Sequence, residues 1–196
     1  MKHILPLLLL TFLSCSVPQK VSWDRIEEGN VRHIGSKSLE RKIENATYSF
    51  SLTVFSGQKS KDYCLLISSI WRIENSSLVL IKLGNEETIK LISNNVNIGQ
   101  VDWPTYSPII GGTSTSGVMT TKKVDYYSSI YSLSPDILGK IEQYGIYKMR
   151  IQFGSGYKEQ SWKRDNLGEY IKNSHELLES QLQKSLPVSK SIEQGF

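Results

Sequence analysis

From Tyr48 to Val54 the chain alternates apolar and hydroxyl-bearing side chains without a break, with Tyr48, Phe50, Leu52 and Val54 set against Ser49, Ser51 and Thr53. A period of two puts the apolar residues on one face of an extended strand and the hydroxyls on the other. One dry face and one wet face belong to an antiparallel sheet that is covered on one side. The pattern returns late in the chain, where Tyr147, Met149, Ile151 and Phe153 alternate with Lys148, Arg150 and Gln152. Between these two segments, Tyr63 to Arg72 is apolar enough for a central strand. Leu78 to Leu83 and Thr88 to Ile92 flank a turn at Gly84-Asn85-Glu86-Glu87. Aliphatic runs separated by turn residues predict an antiparallel meander.

Helices come late. Ser134 is a capping residue, Pro135 fits a first turn and Asp136 suits the positive end of the dipole, so a short helix is expected up to Gly145. Asp165-Asn166 opens a second one, in which Leu167, Tyr170, Ile171, Leu178 and Leu182 form one stripe. The order predicts an α+β fold: a mostly antiparallel β-sheet with a short helix near 134–145 and a C-terminal helix near 166–184 packed on it. Trp23 to Leu39 reads as short extended pieces between turns. Asn94 to Thr121 has little periodicity and holds the glycine-rich run from Gly111 to Gly117, so a long mobile loop is expected there. A strand follows from Val124 to Leu133.

At the N-terminus, Met1, Lys2 and His3 precede an apolar run from Ile4 to Leu13, broken only by Pro6 and Thr11, and the run ends at Ser14-Cys15. A charged end, an apolar core and a small residue, in that order, make a signal peptide. A spanning helix needs about 20 apolar residues, and this run is far shorter. Phe12-Leu13-Ser14-Cys15 resembles a lipobox, with Phe12 where Leu is usual. The expectation is export, cleavage before Cys15 and acylation of its thiol. Residues 1–14 are then the signal, 15–22 a lipidated tether, 23–186 a single α+β domain and 187–196 a flexible tail. The predicted address is the cell envelope, lipid-anchored on the periplasmic face or the outer membrane surface. Each acyl CH2 buried in lipid contributes about 0.8 kcal/mol, so several chains make the membrane a durable partner.

Removing the signal leaves 22 basic and 19 acidic residues, interspersed without a basic stripe, so no nucleic-acid partner is expected. Once Cys15 is acylated, Cys64 has no disulfide partner, and its setting in Tyr63-Cys64-Leu65-Leu66-Ile67 predicts a small buried residue.

The capped helix at Ser134-Pro135-Asp136 leads into Tyr144-Gly145-Ile146-Tyr147-Lys148-Met149-Arg150-Ile151, then Trp162-Lys163-Arg164-Asp165-Asn166-Leu167-Gly168 and the last helix. With the Leu78 to Leu91 hairpin, this order resembles small envelope lipoproteins of Bacteroides-type bacteria that have no assigned activity. The resemblance spans residues 31 to 182. It implies the same address and fold, and no reaction.

No catalytic signature stands out. GxSxG, HExxH and a phosphate loop ending in GK[ST] are all missing from the sequence. His175 shares a helix face with Glu179, which suits a solvated pair better than a metal ligand set, and His33 sits in a polar, turn-rich stretch. No catalytic residue, metal site or cofactor is assigned. Trp103 and Tyr106 flank a proline and are the candidate ligand-binding residues, because flat rings bury large area at low entropic cost. Tyr126, Tyr127, Tyr131 and Trp162 are expected mainly to pack the edge of the core. The leading expectation is a non-catalytic envelope module that binds a protein or glycan partner. Its rivals are a hydrolase of an envelope or nutrient polymer using paired carboxylates, and an assembly subunit whose sheet lends an edge to a partner.

Overall fold

The computed structural model describes residues 19–27, 30–74, 77–93, 95–108, 117–154 and 156–184. The expected signal, Cys15, most of the glycine-rich run (111–116) and the expected tail lie outside the described residues. In chain order the elements are β1 (Val21–Glu27), β2 (Val31–Ser36), β3 (Leu39–Ile43), β4 (Ala46–Ser56), β5 (Lys61–Ser69), β6 (Leu78–Leu83) and β7 (Thr88–Ile92). They continue with β8 (Val96–Pro108), β9 (Gly117–Leu133), α1 (Pro135–Tyr144), β10 (Ile146–Phe153), β11 (Gly156–Ser161) and α2 (Asn166–Leu182). Two antiparallel sheets result. One runs β1-β2-β4-β5-β9-β8 with β3 also on β4, and the other runs β11-β10-β6-β7. The α+β architecture expected from the sequence is present, with both helices close to their expected limits.

The long strand β4 is the spine of the larger sheet. One of its edges is shared in succession, by β3 along Ala46 to Phe50 and by β2 along Thr53 to Ser56. Where the two meet, Ser51 and Leu52 have no partner in either strand, and the Leu52 N–H bonds to a side chain instead. The Ser36 hydroxyl accepts it at 3.0 Å and lies 2.7 Å from the Tyr170 hydroxyl of α2, which itself donates to the Lys37 carbonyl at 2.8 Å. A buried donor left unpaired costs about 1–3 kcal/mol, so this plug closes the gap in the ladder and pins α2 to the sheet.

The alternation in β4 turns Tyr48, Phe50, Leu52 and Val54 inward, where all four are fully buried. They join Val79, Ile81, Met149 and Ile151 of the smaller sheet and Leu138, Ile141, Leu167, Ile171 and Leu178 of the helices in one hydrophobic cluster. Each such aliphatic or aromatic side chain contributes about 1.5–3 kcal/mol by leaving water. The Ser134 hydroxyl accepts from the Ile137 N–H, and the Asp165 carboxylate accepts from the Gly168 N–H at 2.7 Å, as the two caps require. Gly145 ends α1 with φ +68, and a Cβ there would stand 2.2 Å from the Asp165 carboxylate.

Three expectations change. The segment expected as a loop over 94–121 instead holds β8 and the first part of β9, paired in register from Val96↔Ser129 to Pro108↔Gly117. Over 99–105 and 119–125 most side chains are exposed on both faces, which erases the alternation that marks a half-buried strand. The meander also stops at β5, whose second neighbour is β9, while β6 and β7 belong to the other sheet. At the N-terminal end, β1 starts at Val21, inside the stretch expected as tether, and pairs with Ser36.

Candidate functional site

On the hydroxyl side of β4, Ser51 and Thr53 are buried, whereas Thr47 is exposed and Ser49 half-buried. Register places Ser49 opposite Ser68 of β5, and Ser68 opposite Ser128 of β9, so hydroxyls from neighbouring strands share the outward face. A groove of about 590 Å³ runs over the end of this face. Its floor is Thr47, Ser49, Ser68 and Ser69, and its walls include Glu40 of β3, Asn45 of the β3–β4 turn, Trp71 just past β5, Trp103 of β8 and Tyr126 of β9.

Trp71 and Tyr126 are anchored by hydrogen bonds. β5 ends at Ser69, whose hydroxyl donates to the Thr47 carbonyl at 2.6 Å and accepts from the Trp71 N–H at 3.1 Å, turning the indole out of the strand's path. Lys158 of β11 stands 5.0 Å from the Trp71 ring centroid while its ammonium donates to the Asn45 side chain at 2.7 Å. The cation lies over the ring's π-face. The Tyr126 hydroxyl donates to Ser68 at 2.6 Å, and Trp103 sits opposite Lys122 in the hairpin. Trp71 remains 42% exposed and Trp103 46% exposed.

Of the two candidate ligand-binding residues, the structure brings Trp103 into this groove, from a strand and not from a loop. Tyr106 lies three residues further along β8, opposite Met119, and its side chain lies outside the described residues. Tyr131 is fully buried, and Tyr127 and Trp162 pack against the core, as expected. Tyr126 instead faces the groove. Trp71 was not singled out from sequence because a period of two counted from Tyr63, Leu65 and Ile67 assigns it to the core. The available signal was the pair Ser68-Ser69, which breaks the apolar run immediately before it.

The other titratable groups are engaged structurally. His175 shares a 2.6 Å contact with Glu142 of α1 and stands 3.8 Å from Glu179, with its ring edge-on to Tyr63. His33 is 8% exposed, stacked on Phe55, and its Nε2 accepts from the Trp23 indole while Nδ1 lies 2.9 Å from Glu27. Among the described residues no three His, Cys, Asp or Glu side chains stand close enough to hold a metal ion. Cys64 is 6% exposed, and burial pushes its thiol above the usual range.

Among the carboxylates, bonding from Arg32 holds Asp24 below its ordinary range, and Lys148 and then Arg150 do the same for Glu159. Asp165 is pushed up by burial, but it caps α2 and does not line the groove. Comparison with protein-family models, curated proteins and solved structures returns no match.

Proposed function

We propose that this chain is a lipid-tethered binding module of the bacterial cell envelope that holds its ligand in the Trp71–Trp103 groove. The observation that carries the reading is the convergence of two half-exposed indoles, from sequence-distant segments, on one cleft floored by hydroxyls. Clustered aromatic area left in water marks a surface that gains by being covered. The tether reading rests on the leader that ends at Cys15. Five residues lie between Cys15 and Val21, a reach that holds the folded body within roughly 20 Å of the lipid surface.

Binding is favoured over hydrolysis by the lining itself. Glycoside cleavage uses two carboxyl groups about 5–9.5 Å apart, and Glu40 is the single acid among the described residues that line the groove. The assembly reading has one observation behind it: β8 ends the larger sheet and presents an edge for strand addition. Pro104 removes a donor from the middle of that edge, which favours the groove.

Photo-crosslinking in living cells that make the acylated chain tests the proposal. A benzophenone side chain at Ser38, on the groove, is expected to form adducts that a second one at Lys90, on the smaller sheet, does not, and Trp71→Ala should abolish them. Equal adducts from both positions, or none from the groove, would overturn it.

A further inference from the structure

We infer that the groove takes a short stretch of neutral polysaccharide, with sugar rings stacked on Trp71 and Trp103. This rests on the groove being the ligand site and adds the chemical class of the ligand.

The floor supplies the first argument. A pyranose has apolar C–H faces and a rim of hydroxyls, each of which both donates and accepts, so it needs flat apolar surfaces flanked by groups that do the same. Thr47, Ser49 and Ser68 are such groups. Ser68 already accepts from Tyr126, which leaves its own proton to donate.

Charge supplies the second. No cation lines the groove among the described residues, and Lys158, which lies over the Trp71 ring, is bound to Asn45 and 3.6 Å from Glu44. Phosphorylated, sulfated or uronic ligands would meet Glu40 in the lining, with the cations Lys158 and Lys122 placed beside the two indoles and outside the lining. Basic peptides would find one carboxylate only.

Backbone accounting supplies the third. Ser49 and Ser68 are paired with strands on both sides, and Thr47, which has a strand partner only in β3, has its carbonyl taken by the Ser69 hydroxyl, so the floor offers mainly side chains. An extended peptide docking by strand addition needs an open edge. The volume lies within the roughly 300–1,000 Å³ typical of small-ligand clefts, which suits a few sugar rings.

The test is isothermal calorimetry on the full acylated chain in detergent micelles. The probes are neutral hexasaccharides of glucose, mannose and xylose, matching uronic acid oligomers, and a proline-rich peptide, which also favours aromatic grooves. Saturable binding of at least one neutral oligomer is expected, weakened about tenfold or more by Trp71→Ala and by Trp103→Ala and less by the Phe variants, which retain a flat ring and control for folding. Glu40→Gln should narrow the preference for neutral over uronic oligomers. Binding of the proline-rich peptide alone, equal binding of uronic and neutral oligomers, or no binding while the groove crosslinks persist would overturn this inference and leave the binding module standing. Loss of the crosslinks as well would remove both.

Discussion

Tyr48 is fully buried, and its hydroxyl finds no hydrogen-bond partner among the described residues. Burial and the nearby Glu44 push its phenol up to about 12 from 10.0. Because an unpaired buried hydroxyl carries a desolvation cost, Tyr48→Phe is expected to leave stability unchanged or raise it by up to about 1 kcal/mol in urea titrations. Above pH 10 the unfolded chain releases this proton while the folded chain keeps it, so stability falls as pH rises from 10 toward 12. The Phe variant should lose that part of the alkaline decline.

Asp24 behaves in the opposite sense. The Arg32 guanidinium meets both of its oxygens, at 2.7 and 2.9 Å, Gln181 adds a bond at 2.9 Å, and its carboxyl is held below 3.8. Its contribution is therefore present above pH 3.8 and lost as pH falls through the lowered folded value. Arg32 also donates to the Leu182 and Lys184 carbonyls at the end of α2. Arg32→Ala should cost on the order of 3 kcal/mol at neutral pH, since it strands a mostly buried carboxylate, and Asp24→Asn should flatten the acid limb of the stability curve.

At the level of elements, the β8–β9 hairpin divides in two. β9 is paired with β5 only from Tyr127 to Leu133, and beyond that residues 99–108 and 117–126 have strand partners only in each other. A two-stranded ribbon is marginal on its own in water, so hydrogen exchange should be fast over this outer part and orders of magnitude slower over Tyr127 to Leu133. Uniform protection along β9 would contradict the division. The same physics explains what could be read in advance. The strands of the core and both helices announced themselves because burial on one side imposes a period, and because Ser134-Pro135-Asp136, Gly145 and Asp165 are caps with a local mechanism. Over 99–105 and 119–125 the hairpin has solvent on both faces, so no run of apolar residues at every second position reveals it. Half of the groove was visible in Trp103, whose proline context drew attention. Trp71, Glu40 and Tyr126 converge on it through pairings far apart in sequence, which no local pattern encodes.

In the whole molecule, two sheets and two helices share one core, leaving the hydroxyl face of the larger sheet uncovered at the groove. The chain holds four tryptophans, and their placement allows a direct check. Trp71 and Trp103 line the groove, whereas Trp23 lies over Gly35 near His33 and Trp162 packs on the core. In nitrogen-labelled full-length protein, the four indole N–H signals can be assigned by Trp→Phe variants and followed during titration with the neutral hexasaccharides. The account predicts that the Trp71 and Trp103 signals shift together and saturate at one concentration while Trp23 and Trp162 stay in place. Shifts confined to Trp23 or Trp162, or no shift in any of the four, would contradict it.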